Sequence, residues 1–232
     1  MTRKKRIFGE QGRIHHVLLA LTILLIAIQP ISSATSDLFT RVVFALVIMG
    51  SMAAVYGQRK LFTVGLLLGV PTVAFVLADA SGVVGFDPTA STVAAVGEGI
   101  LGIATLVFVC GVMLRGIYSR PIVTAESVSA SLTVYLLLGT IWASAYTLVE
   151  YLSAGSFYGL SGGGIAVARR ELFYYSFVTL TTLGYGDIGP TSEVARSLVI
   201  TQAVVGQLYL VVLVASLVGM FLNQRSQPSY DG

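Results

Sequence analysis

Long apolar runs recur along the chain, and each has the length that a membrane helix needs. Five of them cover about residues 14–31, 38–57, 61–78, 91–114 and 127–149, and a sixth covers about residues 194–222. About 20 such residues cross a bilayer. In lipid these runs must be helical, because open strands would leave backbone groups unpaired. The pattern therefore predicts an all-α membrane protein with six transmembrane helices.

The stretch between the fifth and sixth runs has a different character. Residues 152–170 are rich in Gly and Ser, including Gly162-Gly163-Gly164, and predict an exposed, mobile loop. Residues 171–181 are apolar but too short to span, and they continue into a Gly-containing stretch at residues 183–190. We therefore expect a short re-entrant helix and a loop between transmembrane helices 5 and 6.

Composition agrees with a membrane location and excludes several function classes. Charged residues are 11% of the chain and hydrophobic residues 55%, whereas an average soluble chain has about 25% charged residues. The net charge of +3 is small and scattered, so no nucleic-acid partner is expected. The single cysteine, Cys110, excludes an internal disulfide and is expected to pack as a small hydrophobe.

The placement of basic residues predicts the orientation in the membrane. With the N-terminus in the cytoplasm, the inner segments hold ten of the 14 basic residues: Arg3, Lys4, Lys5, Arg6, Arg13, Arg59, Lys60, Arg115, Arg120 and Arg225. The positive-inside rule then places both termini in the cytoplasm of a multi-pass plasma-membrane protein. The Arg3–Arg6 cluster either contacts anionic lipid or only orients insertion.

The short helix is followed by the segment Thr181-Thr182-Leu183-Gly184-Tyr185-Gly186-Asp187. Glycine at alternate positions allows positive φ there, which lets successive carbonyls turn to the same side. A ring of such carbonyls can replace the water around a cation, and the Thr182 hydroxyl can add one more oxygen layer. Tyr185 is expected to point away from the axis and brace the segment against the short helix.

This segment resembles the signature of the potassium channel superfamily, with Leu183 where that family often has Val. The aromatic pair Tyr174-Tyr175 before it, Pro190 after it and Gly206 in the last span extend the resemblance over about residues 171–219. The family implies a homotetramer with one central pore, in which K⁺ is the permeant ion and no cofactor takes part. The resemblance implies K⁺ binding at Thr182, Leu183, Gly184 and Tyr185, with Gly186 completing the selectivity filter.

Other residues receive supporting roles in this interpretation. Thr181, Tyr174 and Tyr175 are expected to support the filter, the two tyrosines as a packing cuff. Asp187 is expected to form a hydrogen bond behind the filter or to attract cations. Gly206 resembles the family's inner-helix hinge, but close helix packing is an equally good explanation for a glycine in a membrane helix.

The chain is predicted to have four parts. Residues 1–13 are a basic cytoplasmic N-terminus, 14–120 a four-helix peripheral domain, 121–222 the pore domain and 223–232 a cytoplasmic tail. Six-span channels often sense voltage through arginines in the fourth helix, yet here that helix carries Glu98 and, at its inner end, Arg115. Each gating charge contributes about 2.3 kcal/mol per 100 mV, so no steep voltage response is expected.

Glu98 and Arg41 are candidates for an ion pair inside the membrane. Their predicted depths differ by about 5 Å at 1.5 Å per residue, within reach of two long side chains. The hypothesis is a static pair, or a polar cluster that includes Asp79, holding the peripheral helices together.

Three other classes of protein fit the sequence less well than a channel does. A secondary transporter is expected to show repeated, interrupted helices, and only one short interrupted segment exists. A non-conducting subunit of a mixed assembly is disfavoured by the intact motif. An enzyme would need polar catalytic residues, and the sequence shows no nucleophile–base pair, no metal-ligand spacing and no phosphate loop.

Overall fold

The structure is a computed structural model that describes residues 2–29, 45–49, 59–80, 88–118 and 124–226. The described residues form six helices, a further helical stretch at residues 45–49 and two short strands. In chain order these elements are α1 (Thr2–Ile28), α2 (Arg59–Ala80), α3 (Pro88–Tyr118), α4 (Ala125–Leu152), β1 (Phe157–Tyr158), α5 (Ile165–Leu180), β2 (Gly189–Pro190) and α6 (Glu193–Ser226).

Within the described residues, three helices are long and apolar enough to cross a membrane: Ala95–Tyr118, Ala125–Leu152 and Glu193–Gly219. Two shorter apolar helices, His15–Ile28 and Leu61–Ala74, occupy the first and third predicted spans. Most of the second predicted span lies outside the described residues. The prediction of a largely helical membrane protein is confirmed at this level, and the full set of six spans stays a prediction.

Helix α4 lies at the centre of the bundle and contacts α1, α3, α5 and α6. Its Val134 and Leu137 are fully buried and belong to one apolar core with Leu106 of α3 and Leu18 of α1. The helix begins where Thr124, in an extended conformation, accepts a hydrogen bond of 3.3 Å from the Ser127 N–H. Such a cap satisfies one of the unpaired donors at a helix N-terminus.

A second apolar core lies between the C-terminal end of α4, the strands and α5. It contains Tyr146, Phe157, Leu172, Tyr175, Ile188 and Ala195. Phe157 pairs with Pro190, and Tyr158 with Gly189, in the antiparallel strand pair. The segment before α5 is therefore tied to the segment that follows the motif.

Two predictions for this region are wrong in part. The loop over residues 152–170 is not exposed throughout, because Ser156 and Phe157 are buried and β1 pairs with β2. The short helix begins at Ile165, not Glu171, and ends at Leu180. The first turns of this helix are not an apolar run and were therefore not predicted, although Ala166, Ala168 and the arginines there favour helix.

The basic N-terminal segment is helical and continuous with the first apolar helix. Helix α1 begins at Thr2, so the segment is its first part. Lys, Arg, Glu and Gln all have high helix propensity, and residues 3–6 and 10–11 are of these types.

Candidate functional site

The motif after α5 has an alternating backbone conformation. The φ angle is 62° at Thr182, 57° at Gly184 and 77° at Gly186, whereas Leu183 and Tyr185 between them do not have positive φ. The glycine spacing predicts positive φ at Gly184 and Gly186, and Thr182 extends the alternation by one position. An alternation of this kind allows successive carbonyls to turn to the same side.

Thr182 has a backbone conformation that the sequence did not predict. Among the non-glycine residues that the structure describes, it alone has a positive φ. A left-handed conformation costs a residue with a Cβ about 1–2 kcal/mol. Such strain persists only where the surrounding structure enforces it, and it is found most often at functional sites.

The first half of the motif is attached to the last turn of α5 by backbone hydrogen bonds. The Thr181 N–H donates to the Phe177 carbonyl at 3.0 Å, and the Thr182 N–H donates to the Thr179 carbonyl at 3.1 Å. The N–H groups of Leu183 and Gly184 both donate to the Val178 carbonyl, at 3.0 and 3.4 Å. These bonds satisfy carbonyls that a helix C-terminus otherwise leaves unpaired, and they fix where the motif begins.

The hydroxyl of Thr181, a predicted support residue, also bonds to α5. It donates to the Phe177 carbonyl at 2.6 Å. Its contact is therefore with the helix that precedes the motif.

At the C-terminal end of the motif, Tyr174 and Asp187 lie together, a pairing that the sequence did not predict. Tyr174 is on α5, which is too short to be one of the membrane-spanning segments. A hydrogen bond to the Asp187 carboxylate raises the pKa of the Tyr174 phenol above its ordinary value. This interaction links α5 to the last residue of the motif.

Gly159 approaches Asp187, the last residue of the motif, more closely than any larger residue could. It has φ +83°, and a Cβ at this position would lie 1.9 Å from the Asp187 carbonyl oxygen. Neither the conformation nor the space is available to alanine. Sequence reasoning missed this residue, because its contact partner lies 28 positions further along the chain.

Glu150, at the end of α4, holds the loop that carries Gly159. Its carboxylate accepts hydrogen bonds from the N–H groups of Gly155 at 2.7 Å and Phe157 at 3.1 Å. Thr191 adds a hydroxyl bond of 2.8 Å to the Gly155 carbonyl and an N–H bond of 2.8 Å to the Ser156 carbonyl. The sequence feature that could have identified Glu150 is its position, an acidic residue at the end of an apolar helix and just before a Gly-rich loop.

The large side chains in and around the motif differ in how deeply they are buried. Tyr175 is buried, with its ring centroid 5.6 Å from that of Tyr146 and 5.8 Å from that of Phe157. Tyr185 is 67% exposed and Leu183 is 58% exposed. Tyr175 therefore packs against Tyr146 and Phe157, and its role as a cuff for the motif stays a prediction. Tyr185 presents most of its ring at the surface of the single chain.

Gly206 of α6 is buried where α6 meets the end of α5. A Cβ at Gly206 would lie 2.7 Å from Leu180 Cδ1. The Leu180 carbonyl accepts a 3.1 Å hydrogen bond from the Tyr135 hydroxyl, and Tyr135 stacks on Tyr209 with centroids 6.0 Å apart. The contact with Leu180 favours the packing role for this glycine over the hinge role.

Gly206→Ala is expected to lower the thermal unfolding midpoint of the purified protein. Forcing a methyl group into this contact costs about 1–3 kcal/mol, more than the roughly 1 kcal/mol that alanine gains over glycine in a helix. Leu180→Val removes the Cδ1 atom concerned, so the double variant should be more stable than the two single effects predict by addition. Strict additivity would argue against the packing role.

Two other predicted features fall partly outside the described residues. Glu98 is half-buried on α3, but Arg41 and the Asp79 side chain are not described, so the ion pair stays a hypothesis. The side chains of residues 2–14 are likewise not described. Over the described ranges, no group of three or more His, Cys, Asp or Glu side chains is placed to hold a metal ion.

Comparison with known proteins gives one family. Residues 130–223 match the family model described as "Ion channel", a range that runs from α4 to near the end of α6 and contains the whole motif. No curated protein and no solved structure matches the chain. The chain therefore carries an ion channel domain in a membrane protein, and such a family is not a family of enzymes.

Proposed function

We propose that this chain is one subunit of a homotetrameric, potassium-selective channel whose filter is formed by residues 182–186. The observation that carries the proposal is the positive φ at Thr182, Gly184 and Gly186 with ordinary backbone between them. Four such segments around one axis give layers of carbonyl oxygens that replace the hydration shell of K⁺. Conduction is passive, and no cofactor is required.

The exposure of the motif supports an assembly of several chains. One strand cannot encircle an ion, and every residue from Thr181 to Asp187 is exposed in the single chain. Helix α6 also exposes many large apolar side chains, which in a membrane protein are covered by lipid or by other subunits. These include Val194, Ile200, Val204, Leu208, Val211 and Val218.

The direction of α5 supports a cation as the permeant species. The motif begins where α5 ends, so in the proposed orientation the helix C-terminus would lie at the inner end of the filter. A helix C-terminus carries a partial negative charge, which favours a cation nearby. Four such ends around one axis would stabilise K⁺ in the space below the filter.

The remaining parts of the proposal concern the surroundings of the pore. We propose six spans with both termini in the cytoplasm of the plasma membrane, and residues 1–13 at the inner surface beside anionic lipid. Arg115 is the one basic residue of α3 and lies in its last turn. The four peripheral helices are therefore not proposed to sense voltage through charges on the fourth.

The test is ion flux into liposomes that contain the purified full chain, with K⁺ and Na⁺ compared at equal gradients over a range of voltages. The proposal predicts K⁺ flux far above Na⁺ flux, with weak voltage dependence. Equal flux of the two ions would overturn the selectivity. A steep voltage response would overturn the assignment of the peripheral helices alone.

A further inference from the structure

Gln202 on α6 is fully buried and uses both ends of its amide. Its side-chain nitrogen donates to the Ser176 carbonyl at 2.9 Å and to the Ser176 hydroxyl oxygen at 2.9 Å. Its side-chain oxygen accepts a hydrogen bond from the Tyr146 hydroxyl. The amide thus joins α6 to both α5 and α4 through groups that are themselves buried.

Ser176 is the point at which the three helices are joined. Its hydroxyl donates to the Gly139 carbonyl of α4 at 2.7 Å. Gly139 also allows α4 and α5 to approach closely, because a Cβ there would lie 2.6 Å from the Phe177 ring. Polar groups inside a membrane protein need such partners, since lipid offers none.

The three residues that follow Ser176 hold the filter. The carbonyls of Phe177, Val178 and Thr179 accept the N–H groups of residues 181–184. A shift of α5 at Ser176 would therefore move the acceptors that position Thr182, the residue with the strained backbone. The Gln202 side chain is therefore connected to the filter through Ser176, the last turn of α5 and four backbone hydrogen bonds.

We propose that Gln202 is a positioning residue for ion selectivity, which holds α5 at Ser176 and thereby fixes the filter carbonyls. This inference rests on the proposed function. Only an amide satisfies the site fully, because Ser176 offers acceptors and Tyr146 offers a donor. An apolar side chain of equal length would leave the Tyr146 hydroxyl and the Ser176 carbonyl without these partners in a buried place.

The test compares K⁺ and Na⁺ flux for wild type, Gln202→Met, Gln202→Glu and Tyr146→Phe in liposomes. The side chain introduced by Gln202→Met has a similar length but cannot form the hydrogen bonds to Ser176 and Tyr146. We expect the loss of these buried hydrogen bonds to lower the K⁺/Na⁺ flux ratio about tenfold. Gln202→Glu, as the neutral acid, keeps one donor and one acceptor and should lie between Gln202→Met and wild type. Tyr146→Phe removes one bond and should give a smaller loss.

The matched control is Thr133→Val. Thr133 is fully buried on α4, and its hydroxyl bonds only within its own helix, to the Ser129 carbonyl at 2.9 Å. This variant should lose stability without losing selectivity. Thermal unfolding midpoints of all variants separate a stability effect from a selectivity effect. If Gln202→Met fails to fold, the milder variants Tyr146→Phe and Gln202→Glu test whether the hydrogen bonds of Gln202 affect selectivity.

The outcomes separate this inference from the proposed function. A selective wild type with a lowered ratio in the Gln202 variants and an unchanged ratio in Thr133→Val supports the inference. A selective wild type whose ratio is unchanged in the Gln202 variants overturns the inference and leaves the proposed function intact. A wild type that conducts K⁺ and Na⁺ equally overturns the proposed function, and the inference falls with it.

Discussion

Gly184→Ala is expected to abolish potassium-selective flux. Gly184 has φ +57° at the centre of the motif, and a Cβ there costs about 1–2 kcal/mol in each chain. In the proposed tetramer four chains would contribute to one filter, so the strain would be applied four times around the same ions. We expect K⁺ flux in liposomes to fall at least about tenfold, since every tenfold corresponds to about 1.4 kcal/mol.

The control for this variant is Gly162→Ala. Gly162 has φ +78° and open space around the position of a Cβ, so alanine introduces similar backbone strain in the exposed loop before α5. Its flux and selectivity should match wild type. If both alanine variants lose flux equally, the loss comes from general backbone strain and the filter assignment is not supported.

Gly159→Ala is expected to have the second-largest effect, although this residue lies outside the motif. The new Cβ would sit 1.9 Å from the Asp187 carbonyl oxygen, so the C-terminal end of the motif must shift or the strand pair must open. Overpacking of this kind costs about 1–3 kcal/mol. We expect a lower unfolding midpoint together with loss of K⁺ selectivity.

Gly155→Ala provides a closely matched comparison for Gly159→Ala. Gly155 has the same φ of +83° in the same loop, and nothing lies within 4 Å of its Cβ position. Alanine therefore imposes the same conformational penalty without the contact to Asp187. Equal selectivity in the two variants would show that the close approach of Gly159 has no role in shaping the filter.

The sequence allowed prediction of the parts of this protein that depend on local pattern. Membrane helices follow from apolar runs, and the motif follows from glycines at alternate positions. The ion channel family match over residues 130–223 agrees with the class of protein that the motif indicated. The start of α5 was missed, because Ile165–Arg170 is not an apolar run although it favours helix.

The contacts that surround the motif could not be predicted, because each joins residues far apart in the chain. The side chains of Gln202 and Ser176 meet across 26 positions, and those of Tyr146 and Gln202 across 56. A lone Gln in an apolar helix has no spacing pattern that identifies its partner. The positive φ of Thr182 was unforeseen for another reason, because a residue with a Cβ rarely adopts this conformation and nothing in the local sequence indicates it.

The most direct test of the central claim is to locate ions in a structure of the assembled protein. Crystals of the full chain grown with Tl⁺ or Rb⁺ in place of K⁺ would reveal the ions by anomalous scattering. The account predicts four chains around one axis, with ions on that axis between successive carbonyl rings from Thr182 to Tyr185. Ordered segments that surround no ion, or that do not face a common axis, would contradict it.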